Sequence, residues 1–335
     1  MSDWSHKQLE QRNRLARIRE HLDLRTPIDS PAFEQDVVNA CRERIDAMLE
    51  HQQPRSGEEV LVHVARRLQV RFEEVHDDHD LESLEHKYLR EQREIGFAQL
   101  SIEFEKPNVD ALLFERLHAD PNATDKWVAV LNLQETTSRG YWSRSHELIH
   151  RIAEPPQFNL RFYRHRNDKQ NRLESLIDKG AAELAYYRRL FAPTVDAVRS
   201  EPLTWDLIGN IRARYAPSSS QRACVHATLR HWPRPAFLLT ARMAGRRRRP
   251  NTDVALRIEI QGFSQGASHG VFFFDNMRVP PSSPIWHCFQ SGEAISAVEQ
   301  LGLWTTSKGD CLPDVRALTS AYKWDGKVEA LISLE

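Results

Sequence analysis

Residues 141–153, YWSRSHELIHRIA, place two histidines four positions apart in a run whose apolar members, Leu148, Ile149 and Ile152, recur with helical spacing. On an α-helix, residues i and i+4 lie one above the other on one face. His146 and His150 therefore share a face, and Glu147 projects beside them. The run stops at the Glu154-Pro155-Pro156 break. A strand, KWVAVLNLQ, and a polar turn, ETTSRG, come before it. Whatever the chain folds into has to carry this strand–turn–helix unit and bring a second element to the histidine face.

Four-residue spacing lets both imidazoles reach one Zn2+ at about 2.0–2.1 Å. Glu147 is too close in sequence to join the same ion comfortably. It is placed instead to take a proton from water held by the ion. Zinc lowers the pKa of such a water from 15.7 to roughly 7, so a carboxylate completes the deprotonation at neutral pH. A chain with 15 histidines also produces HExxH by composition alone, and the plain alternative is a pair of surface histidines. The preceding strand, the apolar residues within the helix and the closing prolines favour the metal.

A zinc site of this type needs a third protein ligand and one open position. Glu174 is the best donor, because Ile177, Ala181 and Leu184 follow it at i+3, i+7 and i+10 and turn its carboxylate toward the apolar stripe. A glutamate facing a core is costly unless paired or bound to a metal. The alternative is a glutamate at a helix start that favours the dipole. Asp178, one turn on, either hydrogen-bonds a ligand imidazole, replaces Glu174 as the ligand, or is an acid at the core boundary. RFYRHRNDKQNR, residues 161–172, is strongly positive. It reads as a solvated loop, the alternative being a cleft rim for an acidic or nucleic-acid partner. Mn2+ and Fe2+ also suit such ligands.

The 335 residues suffice for two or three packed units. No apolar run approaches the length of a membrane span, and the polar start, MSDWSHKQLEQ, is not a secretory signal. Four scattered cysteines with no CxxC pair argue against a disulfide framework and for a reducing, cytoplasmic setting. A net charge of −1 gives no global field toward nucleic acid, so any such binding rests on local patches.

Residues 1–30 form a charged helix or loose arm, ended by TPIDSP. PAFEQDVVNACRERIDAMLEH and EEVLVHVARRLQV have helical spacing, the first with Ser30 as its cap and Pro31 in its first turn. VRFEEV, GFAQLSIEF and DALLFERL read as strands. HDDHDLESLEHKYLREQRE, residues 76–94, reads as an exposed excursion. ESLIDKGAAELAYYRRLF predicts one helix, stopped before Pro193. LTWDLIGNIRARY and SSSQRACVHATLRH predict two more, joined by APSS. From about residue 233 the texture changes to AFLLTARMA, DVALRIEIQGF and GVFFFDNMRV, which alternate or run apolar. VRALTSAYKWDGKVEALISL closes the chain as a hairpin turning at Asp325-Gly326. The organisation expected is α+β: an arm over 1–30, a metal-binding domain over 31–195, a helical connector over 196–232 and a separate α+β unit over 233–335.

SRGYWSRSHELIH resembles the rxxFtxAHExxH segment of the ImmA/IrrE metallopeptidases, and ESLIDKGAAEL is similar to their second signature, roughly ExLCDxFAAELLMP. Glu174 falls on that family's zinc ligand, Asp178 on its aspartate, and Ala181-Ala182-Glu183-Leu184 on its AAEL. Ile177 stands where cysteine is common, Gly180 where phenylalanine is usual, and AYYRRLFAP where LLMP is expected, which puts the end of that helix in doubt. LTWDLIGNIRARYAPSSSQRA is similar to the helical pair that follows in the family. The resemblance covers about residues 35 to 230. More weakly, the C-terminal unit resembles the GAF-like sensor domain of longer members, including a branch found beside CBASS anti-phage operons. The resemblance implies a zincin-like zinc endopeptidase that cuts a helix-turn-helix repressor at one site. In that branch it implies single-stranded DNA as the trigger.

Arg246, Arg247, Arg248 and Arg249, with Arg242 just before them, form a cluster that could grip phosphates, and Trp232, Trp286 or Trp304 could stack bases. The alternative is a solvated arginine loop with core tryptophans. A specific protease inside the cell needs restraint: one route is a sensor domain that orders the cleft only when its ligand is bound, and another is a free cysteine at the zinc's open position. Cys41 is the nearest candidate, although a core thiol is the stronger reading. Two competing functions stay open. One is a DNA-binding regulator that uses the 204–231 helix pair, with Arg222, His226 and Arg230 on its second helix. The other is a sensor with a structural zinc site.

Overall fold

The charged start of the chain is helix α1 (His6–His21), followed by α2 (Phe33–Leu49), α3 (Gly57–Arg67) and strand β1 (Val70–Val75). The computed structural model describes residues 6–106, 109–118, 125–134, 139–155, 162–165, 171–245, 253–264, 266, 270–306 and 309–334. The fold is mixed α+β and divides into two units, Met1–Leu190 with Tyr215–Ser220 and Phe191–Arg214 with Gln221–Glu335. In α1, Leu15 and Ile18 are buried, as is Leu22 just beyond its end. α2 buries Phe33, Val37, Val38, Cys41 and Ile45, as its spacing predicts; Leu49 is buried as well, whereas Ala40 and Met48 of the same apolar set are only partly so. Its start differs from the sequence reading. The helix begins at Phe33, and Ser30 Oγ accepts the N–H of Ala32 within the preceding turn instead of capping it. Ser56 caps α3 by accepting the N–H of Glu59.

α4 (Asp78–Glu85), a π-turn over His86–Glu91, a 3-10 turn over Ile95–Gln99 and α5 (Leu100–Phe104) lead to β2 (Val109–Glu115). Then come β3 (Trp127–Asn132), α6 (Gly140–Ala153), β4 (Phe162–His165) and α7 (Arg172–Ala185). The sheet order is β1-β3-β2-β4, with β1 parallel to β3 and β2 antiparallel to β3 and β4.

Two sequence expectations fail here. GFAQLSIEF is helical, not a strand, and residues 76–94 are not an exposed excursion. Leu84, Tyr88, Phe97 and Leu100 pack with Leu112, Phe114, Val128 and Val130 over one face of the sheet. Tyr88 stacks on Phe97, and Phe97 on Phe114, so a few widely spaced aromatics anchor an otherwise polar stretch. The other face carries Phe72, Ala111, Leu131 and Leu133. On α6, the Arg151 guanidinium lies 4.0 Å from the ring centroid of Trp127. With both faces covered, β2 and β3 are buried at nearly every position.

ESLIDKGAAELAYYRRLF is two helices, not one. α7 ends at Ala185, and α8 (Arg188–Asp196) contains Pro193 instead of stopping before it. The break has named partners. The Tyr141 hydroxyl donates to the carbonyl of Ala185, one of the last in α7. Tyr187 and Arg189 both donate to the Asp46 carboxylate, at 2.8 and 2.7 Å.

The second unit contains α9 (Trp205–Tyr215), which ends at the boundary, α10 (Gln221–His231), β5 (Ala236–Ala244), β6 (Ala255–Phe263), α11 (Pro284–Ser291), β7 (Ile295–Gln300), β8 (Arg316–Trp324) and β9 (Lys327–Leu334). Its antiparallel sheet runs β6-β5-β9-β8-β7. One face packs Leu239, Ala241, Ala330 and Ile332 against Ile285 and Cys288 of α11 and against Trp304. Toward the other face, Trp205 of α9 meets Tyr322 edge-on, and Arg222 of α10 pairs with Glu329. Asp325 and Gly326 hold φ of 48° and 71°, the left-handed pair that a tight hairpin requires. GVFFFDNMRV does not form the strand its apolar run suggests. It meets β6 through an isolated bridge, Arg257 with Arg278, and the Asp275 side chain takes the N–H of Ile260. Among the described residues, no helix is long and apolar enough to cross a membrane.

Candidate metal centre

α6 and α7 pack closely enough to share a site because Gly180 has no side chain. A Cβ at that position would lie 2.8 Å from Ile149 Cγ2. α7 starts at Asn171, whose side chain accepts the N–H of Glu174 at 3.4 Å. Glu174 thus sits in the first turn with its carboxylate toward α6.

Three donor atoms meet there. His146 Nε2 lies 3.1 Å from His150 Nε2 and 3.1 Å from Glu174 Oε2. His150 Nε2 lies 3.7 Å from the same oxygen. A tetrahedral ion with bonds of about 2.0–2.1 Å holds its ligands about 3.3–3.4 Å apart. The triangle fits that edge length. All three side chains are buried, and Glu147, next to His146 on α6, is wholly buried as well.

Tautomers sharpen the fit. His146 Nδ1 lies 2.9 Å from Asp178 Oδ1, and His150 Nδ1 lies 2.7 Å from Glu154 Oε1. An ionised carboxylate only accepts, so each Nδ1 carries the proton and donates it. Each Nε2 then turns a lone pair toward the other and toward Glu174. Three acceptors facing one point repel unless a cation, metal or proton, sits among them. Two imidazoles and a carboxylate suit Zn2+, Fe2+ or Mn2+.

No protein-family model and no curated protein matches the chain. Among solved structures, a Mycobacterium tuberculosis transcriptional regulator is similar at 11% sequence identity and a TM-score of 0.42, over 95% of this chain and 82% of that one.

The electrostatics agree with the geometry. Burial opposes charge on His150, but the Glu174 carboxylate and the bond to Glu154 outweigh it and push the pKa up to about 10. Burial likewise opposes charge on His146, and hydrogen bonds to Asp178 and Glu174 turn the shift upward. Burial would raise Glu174, yet His150 and His146 hold it well below the usual carboxylate range. All three shifts favour positive charge among these side chains.

Asp178 lies outside the three converging donors and hydrogen-bonds one of their imidazoles. It accepts from His146 and, at 3.3 Å, from Trp142 Nε1, and its side chain is half exposed. Glu154 is a residue that sequence reasoning missed. It belongs to the EPP break, and its i+4 spacing from His150 was the available signal. Arg14 of α1 donates to both of its oxygens, at 2.8 and 3.0 Å.

Cys41 lies buried on α2, outside the converging set among the described residues, and burial pushes its thiol up to about 12. This is the core thiol of the two readings. Trp232 and Trp304 are wholly buried, and Trp304 Nε1 donates to Glu299, so neither is placed to stack a base. Trp286 is partly buried against the same core. Arg242 is exposed on β5, whereas Arg246, Arg247, Arg248 and Arg249 lie outside the described residues. Of the basic stretch 161–172, read from sequence as a loop, Phe162–His165 form β4 and Arg172 opens α7, while residues 161 and 166–170 lie outside the described residues. On α10, Arg222 pairs with Glu329 and donates to Gln261, while Cys224, Val225 and Leu229 are buried.

Proposed function

We propose that the chain is a zinc-dependent endopeptidase of the ImmA/IrrE kind. Its first unit is a zincin-like catalytic domain and its second a GAF-like sensor. The observation that carries this reading is the convergence of His146, His150 and Glu174 beside the buried Glu147. Three protein ligands leave a fourth position open, as catalytic sites do and structural sites rarely do.

His146, His150 and Glu174 would hold the ion. When bound, zinc supplies Lewis acidity to water and to a peptide carbonyl. Asp178 and Glu154 keep both imidazoles in the Nδ1–H tautomer, with Nε2 free to coordinate. Glu147 accepts the proton of the attacking water and returns it to the leaving amine, so that one carboxylate serves first as base and then as acid. The substrate in this reading is a helix-turn-helix repressor, and single-stranded DNA is the trigger, gripped by Arg242 and the 246–249 run. The setting is cytoplasmic. The alternative of a DNA-binding regulator is less supported, because Arg222 of the candidate recognition helix is committed to Glu329 and Gln261.

Glu147→Gln should keep the metal and lose cleavage by about 10²-fold or more. Substituting His146, His150 or Glu174 by alanine should lose both. The decisive assay incubates the purified chain and its Glu147→Gln variant with the product of the neighbouring helix-turn-helix gene, with and without single-stranded DNA. A discrete fragment from the wild type alone is the expected result. Equal cutting by the variant would remove Glu147 from the reaction.

A further inference from the structure

α1 reaches both helices that carry the metal ligands. Arg14 clasps the Glu154 carboxylate, with Nη2 at 2.8 and 3.0 Å from its two oxygens and Nε at 3.2 Å from one. Glu154 is buried, accepts from His150 Nδ1 at 2.7 Å, and is left only 2% exposed in its side chain. Three residues earlier, Gln11 Nε2 donates to Asn171 Oδ1 at 2.7 Å, the same oxygen that caps the turn bearing Glu174. At the far end of α1, Arg44 donates to the carbonyls of His21 and Ile152, at 2.5 and 3.0 Å, tying the helix to the end of α6.

We infer that α1 is part of the metal centre and that Arg14, acting through Glu154, is a positioning residue for His150. This rests on the reading above that the site holds a divalent ion. A lone carboxylate is free to swing. The guanidinium fork meets both oxygens, which limits that swing and keeps one of them facing His150 Nδ1. The imidazole is then held in one tautomer and one ring orientation, with Nε2 on the ion. Gln11 does the equivalent for the cap of α7. Coupling of this type is reciprocal: if α1 tightens the metal, the metal tightens α1.

The test uses the full chain stripped of metal and titrated with Zn2+ against a chromophoric chelator. Arg14→Ala and Glu154→Gln should bind about 10–100-fold more weakly, the usual cost of losing a group that orients a ligand. Arg14→Lys, which keeps the charge but not the fork, should recover part of the loss. Arg12→Ala, on the same helix, which breaks an exposed ion pair with Asp29, should match the wild type. With Co2+ in place of Zn2+, the d–d absorption of Glu154→Gln should differ from wild type, which a merely structural role would not require. Metal should slow amide exchange across α1 in the wild type and not in Arg14→Ala. Affinities within twofold of wild type for both Arg14→Ala and Glu154→Gln would overturn the inference. So would α1 exchange indifferent to metal in the wild type. If Arg14→Ala does not fold, the isosteric Glu154→Gln decides alone. A wild type that takes up no ion overturns the underlying reading and this one together; a wild type that binds as tightly as its variants overturns this one only.

Discussion

His150 illustrates how a single side chain reports on the site around it. Its Nδ1–H is taken by Glu154, and its Nε2 faces His146 and Glu174, so the ring is pressed to hold a cation on one side. Against the opposing effect of burial, the Glu174 carboxylate and the bond to Glu154 push its pKa up to about 10. In the proposed reading a metal displaces the proton that this shift favours. Zinc binding at pH 7 should release about one proton, seen as a buffer-dependent enthalpy in calorimetry, with affinity rising as pH rises. Stability of the metal-free protein has the matching sign. The folded pKa of His150 is raised above its ordinary 6.5, so its contribution is complete below 6.5 and is lost as pH climbs through about 10. Glu174 and Glu154 are lowered, so theirs is complete above 4.5 and fails in acid. Metal-free stability should peak between those limits in denaturant titrations across pH. Of this cluster, His146, Glu147, His150, Glu174 and Asp178 were legible from spacing and apolar phase. Arg14 was not, because its partner lies 140 residues away.

At the scale of elements, the crossing of α6 and α7 sets the site. Gly180 and Ile149 occupy one volume between them, and the nearest atom is a branch methyl with little room to retreat. Gly180→Ala should cost about 1–3 kcal/mol by overpacking. It should weaken metal binding in step, because the helices that part are the ones that carry the ligands. Adding Ile149→Ala should recover much of the affinity, and thermal melts with metal titrations on the single and double variants check both. The elements misread from sequence share a cause. GFAQLSIEF and the 76–94 stretch look strand-like or exposed in local pattern, yet Tyr88, Phe97 and Phe114 stack into one column. The break between α7 and α8 follows in the same way from Tyr141, Tyr187 and Asp46, contacts that a local window does not contain.

At the scale of the whole molecule, each unit has its own sheet and its own apolar core. The converging ligands all belong to the first. A metal bound there at 1,000 times its dissociation constant adds about 4 kcal/mol to the unit that holds it. Chelation should therefore lower hydrogen-exchange protection in α6, α7 and the first sheet and leave the protection of β5–β9 unchanged. Protection lost equally in both sheets would mean that the chain unfolds as one body.

Periodicity and spacing alone determined which helix carries the histidines, that Glu174 and Asp178 lie on the helix face turned toward the core, where the chemistry changes from helical to strand texture, and how the last hairpin turns. Those features depend on neighbours within a turn or two, and the sequence displays such neighbours directly. Tertiary structure decided the rest: that the charged N-terminal stretch is a helix holding Glu154, that a glycine admits the second ligand helix, and that a polar excursion covers a sheet. Each depends on side chains far apart in the chain being brought within a few ångströms, and no local pattern encodes which distant partner will arrive.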